Sequence, residues 1–465
     1  MKDIGPASTF APEVRELKSS ISRERRLTPL TRSLCLFAIV NIVLINGVLI
    51  LALRPAWNET VPYCLTKSFL LVKQRTDSWG LMSVAYVYAQ NNPSQPLYSD
   101  LFFGRGLKFI YPPTSLLIIG LLQMVRNDSA FWFDVLRIVS WVFVIVMAIF
   151  TLKIFETSLA NNDSESKSAF NTDFFVRTGF VLALVLTFYP VIRGYSVGQI
   201  QTWINSIFAI VFWCWMKDKK AIAGALTGII CLIKPQYSII LVWAVFRKQW
   251  TFVLPFAAAL SAGFLVSLSV FGLRDHLDYL PVLSFLSKHG DAYYPNQSIN
   301  GLLNRLFQNG NILEFQVRDW PPFNPWVYGG TLISSLALIS MALFWPMKKS
   351  EKGSTLDFSI VALSSTMASP LAWIHHYGIL LPIYAFLLPT LWKRKIFGRM
   401  TIAYLAISYV LTSNNFISKA LAYTPLNIAM SSLLVGASMV LVCLYFLRNE
   451  KQIVAAEQFQ SPARV

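Results

Sequence analysis

The feature that most constrains this chain is a succession of long, nearly charge-free apolar runs separated by short clusters of Lys and Arg. Residues 33–53 form the first, with about 20 apolar or small residues and no charge, enough to cross a bilayer. Further runs follow near 113–125, 131–154, 174–192, 197–216, 221–233, 236–246, 250–271, 329–347, 356–368, 377–392, 399–411 and 424–447. With 55% hydrophobic and only 14% charged residues in 465, ordinary soluble, disordered, collagen-like and disulfide-scaffold classes are excluded. The net charge of +17 lies in the breaks between runs, so it reports topology and argues against nucleic acid as a partner. Cys35, Cys64, Cys214, Cys231 and Cys443 stand singly, without redox or zinc spacing. Neither a metal nor a cofactor is expected.

The expected fold class is all-α, a polytopic transmembrane helical protein of about twelve spans. Its parts are a cytoplasmic N-terminal arm over 1–32, a membrane domain over 33–447 and a cytoplasmic tail over 448–465, with arm and tail disordered. Basic clusters assign the sides: Lys217, Lys219 and Lys220; Arg247 and Lys248; Lys348, Lys349 and Lys352; Lys393, Arg394 and Lys395; and Arg448 with Lys451 mark cytoplasmic turns. The long loops 54–112 and 272–328, the turn 193–198, the break Lys234-Pro235-Gln236 and 369–376 then fall outside. Thirteen runs cannot leave both termini inside, so one is re-entrant or split; 113–125 and the interrupted 221–246 are the suspects. Within 54–112, residues 61–72 and 79–89 read as interfacial helices.

Chemistry is expected on that elaborate outer side of the cell membrane. Asp77, between the two interfacial segments, is either a carboxylate at headgroup level or a helix N-cap. The first loop carries more positive than negative charge, with Arg105 and Lys108 among its cations, and this suits either headgroups of the lipid bilayer or a dedicated phosphate. Lys234 at a helix break either snorkels or holds a charged ligand. Arg193 and Gln199 flank a glycine-containing turn whose alternative reading is plain anchoring, and Tyr111-Pro112-Pro113 reads mainly as a helix start. His375 and His376 are adjacent, about 100° apart on a helix, and so a poor metal pair; an imidazole there can donate to a phosphate oxygen. Asn296-Gln297-Ser298-Ile299-Asn300-Gly301 is an amide-rich segment able to meet sugar hydroxyls.

In their order, Asp77, Pro96-Leu97-Tyr98, Phe109-Ile110-Tyr111-Pro112-Pro113, Gly198-Gln199, Lys234-Pro235 and Ser369-Pro370-Leu371-Ala372-Trp373-Ile374-His375-His376 resemble the GT-C class of membrane glycosyltransferases. The closer resemblance, over roughly 33–445, is to the polyprenyl-phosphate-mannose-dependent mannosyltransferases of glycosyltransferase family 87. It implies a GT-C-like fold, a polyprenyl-phosphate-linked sugar donor, a glycan or glycolipid acceptor, and no nucleotide-sugar site. It also implies Asp77 as general base and one of His375 and His376 near the donor phosphate. His375, His376, Lys234, Arg193, Gln199, Tyr111 and Arg105 are the candidates for binding donor phosphate or substrate. The rival reading is a transporter or flippase of a lipid-linked substrate, which broken helices and an intramembrane Lys also suit; a ligand-free membrane scaffold is a third.

Overall fold

The structure is a computed structural model and describes residues 27–160, 172–315, 318–392, 398–417 and 421–460. Most of the N-terminal arm, the Lys393, Arg394 and Lys395 cluster and residues 461–465 lie outside the described residues. Among the described residues regular structure is helical, apart from one antiparallel bridge between Asn296 and Trp373.

The chain begins with α1 (Pro29–Leu53), then α2 (Asp77–Asn91), α3 (Pro113–Val125), α4 (Ser129–Ala160), α5 (Thr172–Leu186) and α6 (Tyr189–Val197). Next come α7 (Gln201–Met216), α8 (Lys220–Ile233), α9 (Pro235–Phe246), α10 (Trp250–His289) and α11 (Ile299–Leu306). The last are α12 (Pro325–Phe344), α13 (Thr355–Met367), α14 (Ile374–Trp392), α15 (Gly398–Ser413) and α16 (Ser432–Gln460). Among the described residues six helices are long and apolar enough to cross a membrane: α1, α4, α10, α12, α14 and Pro425–Asn449, which runs into α16. The α5–α6 pair, bent by 52°, makes a seventh if counted as one span. About twelve crossings were expected; the remaining apolar runs form helices shorter than a full crossing, including α3, α8 and α9.

The radial arrangement of polarity is that of a protein solvated by lipid. Leu36, Val43 and Leu51 of α1, Leu265 of α10 and Ile333 of α12 are exposed, whereas Asn41 and Asn46 of α1 are buried. Asn41 finds its partners inside the bundle: its Oδ1 accepts from Asn414 Nδ2 at 2.9 Å and Ser413 Oγ at 3.3 Å. Polar groups with no water to meet must pair internally. The expected interfacial segments are helical; in α2 Trp79, Met82, Ser83 and Tyr86 lie inward while Val84 and Val87 stay exposed, an i, i+3, i+4, i+7 face.

Two expectations are corrected. Residues 272–328 are not one loop, since α10 continues to His289 and α11 follows. At about 60 Å, α10 is twice the thickness of a hydrocarbon core, and Gly272, with φ 72° and ψ 167°, kinks it between a membrane half and a half that forms part of the site. The tail after Arg448 is likewise helical as far as Gln460. Arg448 itself is no exposed turn residue but fully buried, paired with Asp357 at 2.9 Å. Asp357 also accepts from Arg247 Nε at 2.7 Å and Trp243 Nε1 at 3.1 Å, so two basic residues read to one side of the membrane meet at one carboxylate.

Candidate active site

The site begins where two turns touch. Arg75 N–H donates to Ser196 C=O at 3.0 Å and Ser78 N–H to Gly198 C=O at 3.1 Å. Gly198 has φ +76°, and a Cβ there would lie 1.9 Å from Arg75 C=O, so this approach is open only to glycine. Docked in this way, Gln199 faces Asp77: its Nε2 donates to Asp77 Oδ2 at 2.5 Å, while its Oε1 accepts from Ser78 Oγ at 2.7 Å and Tyr111 OH at 3.1 Å. Two hydroxyl donors on one end and a carboxylate on the other define the amide's orientation. Ser78 Oγ also accepts from Ile200 N–H at 2.9 Å. The cap position of α2 is taken by Thr76 and Asp77 is the first helical residue, so Asp77 is not the N-cap. It is half-buried. Burial raises its pKa above the ordinary carboxylate value, and the Gln199 hydrogen bond and the guanidiniums of Arg193 and Arg75 act against that rise.

A second wall is built at the break between α8 and α9. Pro235 supplies no N–H and disfavours a helical residue before it, so α8 stops and Lys234 is left extended and buried at the cap. Its Nζ lies within hydrogen-bond distance of His376 Nε2. Neighbouring positive charges on both groups would repel and burial disfavours the Lys234 ammonium, so at most one of the two carries the charge.

The segment carrying the histidines is held by main chain from a distant loop. Gln297 N–H donates to Ala372 C=O at 2.9 Å and Ile374 N–H to Pro295 C=O at 2.8 Å, flanking the Asn296–Trp373 bridge. Asn296 Oδ1 accepts from Ala372 N–H at 3.1 Å, Ser298 Oγ donates to Pro370 C=O at 2.8 Å, and Tyr377 OH to Gln297 C=O at 2.7 Å. Asn296, Gln297, Ser298 and Asn300 are all buried. The amide-rich segment expected to meet sugars therefore serves as scaffold.

These walls enclose a cavity of about 470 Å³ lined by Asp77, Tyr111, Gln199, Lys234, His375 and His376, all singled out from the sequence. Leu283 and Leu286 from the half of α10 after Gly272, with Ile239 and Ile339, give it an apolar side. Arg193 lines instead a neighbouring cavity of about 350 Å³, shared by Asp77 and His375. There its guanidinium is partly committed, with NH1 donating to Asn58 C=O at 2.7 Å and NH2 lying 3.5 Å from Glu59. Arg105 is brought to neither: it is exposed, pairs with Asp100 at 2.9 Å and lies over Tyr88. A loop cation five residues from an acid is satisfied locally before it reaches a distant site.

Two contributors stand outside the site residues chosen from the sequence. Ser78 holds three hydrogen-bond relationships at the site, but a Ser beside an Asp at a helix start looks like a cap. Lys108 lines the larger cavity, buried, with Nζ donating to Asp319 C=O at 2.8 Å and lying 4.2 Å from the Trp320 ring centroid. Its signals were its place among the surplus cations of the first loop and its position three residues before Tyr111-Pro112. Among the described residues no group of three or more His, Cys, Asp or Glu is arranged to hold a metal.

The profile of glycosyltransferase family 87 matches residues 109–370. The match takes in Tyr111, Arg193, Gln199 and Lys234, and its ends fall between Asp77 and the histidine pair, which it therefore leaves outside on either flank. No curated protein and no solved structure is similar enough to the chain to count as a match. Since the profile spans more than half of the sequence, and the chain has apolar helices of spanning length, this membrane protein belongs to glycosyltransferase family 87.

Proposed function

We propose that the protein transfers a sugar, mannose, from a polyprenyl-phosphate donor to a lipid-linked or envelope-glycan acceptor at the outer face of the cell membrane. The observation carrying this reading is that Asp77 and the Lys234–His376 pair, far apart in sequence, line one cavity that also has an apolar side. Asp77 takes the proton of the attacking acceptor hydroxyl, a contribution typically worth about 10²–10⁴-fold. Charge gathers on the departing lipid phosphate and is met by Lys234 and by His376 or His375, in surroundings where such donors act strongly. Ile239, Leu283, Leu286 and Ile339 suit the first isoprene units. A single displacement inverts the anomeric centre, so a β-linked donor yields an α-linked product. Family membership favours covalent transfer over translocation.

Purified protein given labelled polyprenyl-phosphate-mannose and a membrane glycolipid extract is expected to form a labelled glycolipid, and Asp77→Asn to abolish this while remaining folded. Full activity in that variant removes Asp77 as base. Lipid-linked sugar crossing proteoliposomes without any covalent product returns the transporter reading.

A further inference from the structure

Gln201 and Asn205, one turn apart near the start of α7, are fully buried amides in a helix that is otherwise mostly apolar. Amides so placed cost free energy unless they meet partners, so the partners they meet are informative. Gln201 Nε2 donates to Asn205 Oδ1 at 2.9 Å, and Asn205 Nδ2 donates to His375 C=O at 2.9 Å. The first bond directs the second: with its oxygen on Gln201, the Asn205 amide turns its nitrogen to the histidine. The His375 carbonyl belongs to the peptide unit that joins the two histidines. Its other end is tied as well, because His376 N–H donates to Trp373 C=O at 2.8 Å. A peptide unit is planar, so holding both ends fixes where the Cα atoms of His375 and His376 can lie. The fit is close, since a Cβ at Gly378 would lie 2.1 Å from Asn205 Nδ2 and one at Gly194 would lie 3.1 Å from His375 Cβ. On another face α7 is anchored to α4, with Trp203 Nε1 donating to Ser140 Oγ at 2.9 Å and Ser206 Oγ to Phe143 C=O at 2.6 Å.

We propose that Asn205 is a positioning residue for the histidine pair, setting the His375–His376 peptide so that His376 meets Lys234 where the donor phosphate binds. This deepens the transfer reading above and rests on it. Neither Asn205 nor Gln201 lines either cavity, so Asn205 acts through the main chain of the histidines and Gln201 acts through Asn205. The two ends of the reaction are thereby referred to one helix: Gln199, in the turn before α7, holds Asp77, and Asn205, one turn into α7, holds the histidines. An in-line displacement needs proton acceptor and leaving phosphate at a fixed spacing, and a misplacement of about 1 Å costs on the order of a hundredfold.

The test is equilibrium binding of radiolabelled farnesyl phosphate to the full-length protein in nanodiscs, read as a double-mutant cycle. Asn205→Leu keeps the volume and loses the donor; it is expected to weaken binding about tenfold, and His376→Ala by a similar factor. The double variant is expected to bind no more weakly than His376→Ala alone, because Asn205 has nothing to position once the imidazole is gone. Tyr409→Phe, which removes a buried bond from α15 to Leu184 C=O, is the comparison for lost stability: a lower thermal midpoint with unchanged affinity. In sugar transfer, kcat of Asn205→Leu falls while the ascending limb of kcat/KM against pH stays in place, since Gln199 still holds Asp77. Gln201→Leu, which leaves the donor but frees its direction, weakens binding by a smaller factor that also vanishes in the His376→Ala background, and it carries the test where Asn205→Leu does not fold. Additive losses in the double variant, full affinity in folded Asn205→Leu, or an equal loss of affinity in Tyr409→Phe overturns the role. Unaltered protein that binds no farnesyl phosphate overturns it together with the phosphate reading of Lys234 and His376. A cycle that closes as expected in protein that transfers no sugar supports Asn205 in its role and indicts the transfer reading instead.

Discussion

Gln199 grips Asp77 by a 2.5 Å hydrogen bond from its amide nitrogen while its amide oxygen is held by two hydroxyls. The carboxylate is therefore presented to the cavity by a neighbour that stabilises its charged form, against a burial that disfavours it. Replacing Gln199 by Leu is expected to raise the Asp77 pKa further. A base must be deprotonated to act, so the ascending limb of kcat/KM against pH shifts to higher pH and activity at neutral pH falls by about ten- to a hundredfold. An unchanged limb with reduced activity shows that Gln199 acts on substrate and not through Asp77.

Gly198→Ala places a methyl group inside the Arg75 carbonyl, and a left-handed φ compounds the strain. The 75–78 turn must separate from 196–199, taking Asp77 with it. Sugar transfer is expected to fall at least as far as in Gln199→Leu, with the thermal midpoint of the purified protein lowered. Retention of both disproves the contact.

Asp291 is buried near the root of the loop that carries Asn296 and Gln297, and burial pushes its carboxyl up to about 6 from an ordinary 3.8. The folded state thus holds this proton more tightly than the unfolded one. The stability it confers is complete below about pH 4 and is lost as pH rises to about 6, by up to about 3 kcal/mol. Asp291→Asn should flatten the thermal midpoint between those pH values; an unaltered slope assigns the dependence to other groups.

Asp357→Ala leaves Arg247 and Arg448 buried without their shared carboxylate, a loss of about 3–5 kcal/mol. α9 and α13 separate this cluster from the cavity by about 15–20 Å, so protein kept cold should transfer sugar normally while unfolding earlier on heating. Unchanged heat stability refutes the structural role, and inactivity in folded protein refutes the separation.

Much of this was legible in the sequence because bilayer physics writes it in large letters. Apolar runs and basic turns mark the helices, and Lys234-Pro235 announces a break whose ammonium has to find a use. Crossing count was less legible: α8 and α9 are too short to span, and length alone does not tell a split crossing from a re-entrant one. Long-range pairing was illegible. Nothing local distinguishes Asn296, committed to Ala372 and Pro370, from an amide awaiting a sugar, or Ser78 at a three-way junction from a cap. Arg105 misled for the converse reason, since a loop charge shows its sign and not its partner.

The Asn296–Trp373 bridge has a consequence for how this protein tolerates change. The bonds on either side of it run through amide N–H and carbonyl groups that every residue but proline possesses. Side chains at Pro295 or Ala372 can be exchanged within the space available without untying the strap. Adding or deleting a single residue on either side slips the register and turns each imidazole toward a different neighbour, so variation here is forgiven in kind but not in number.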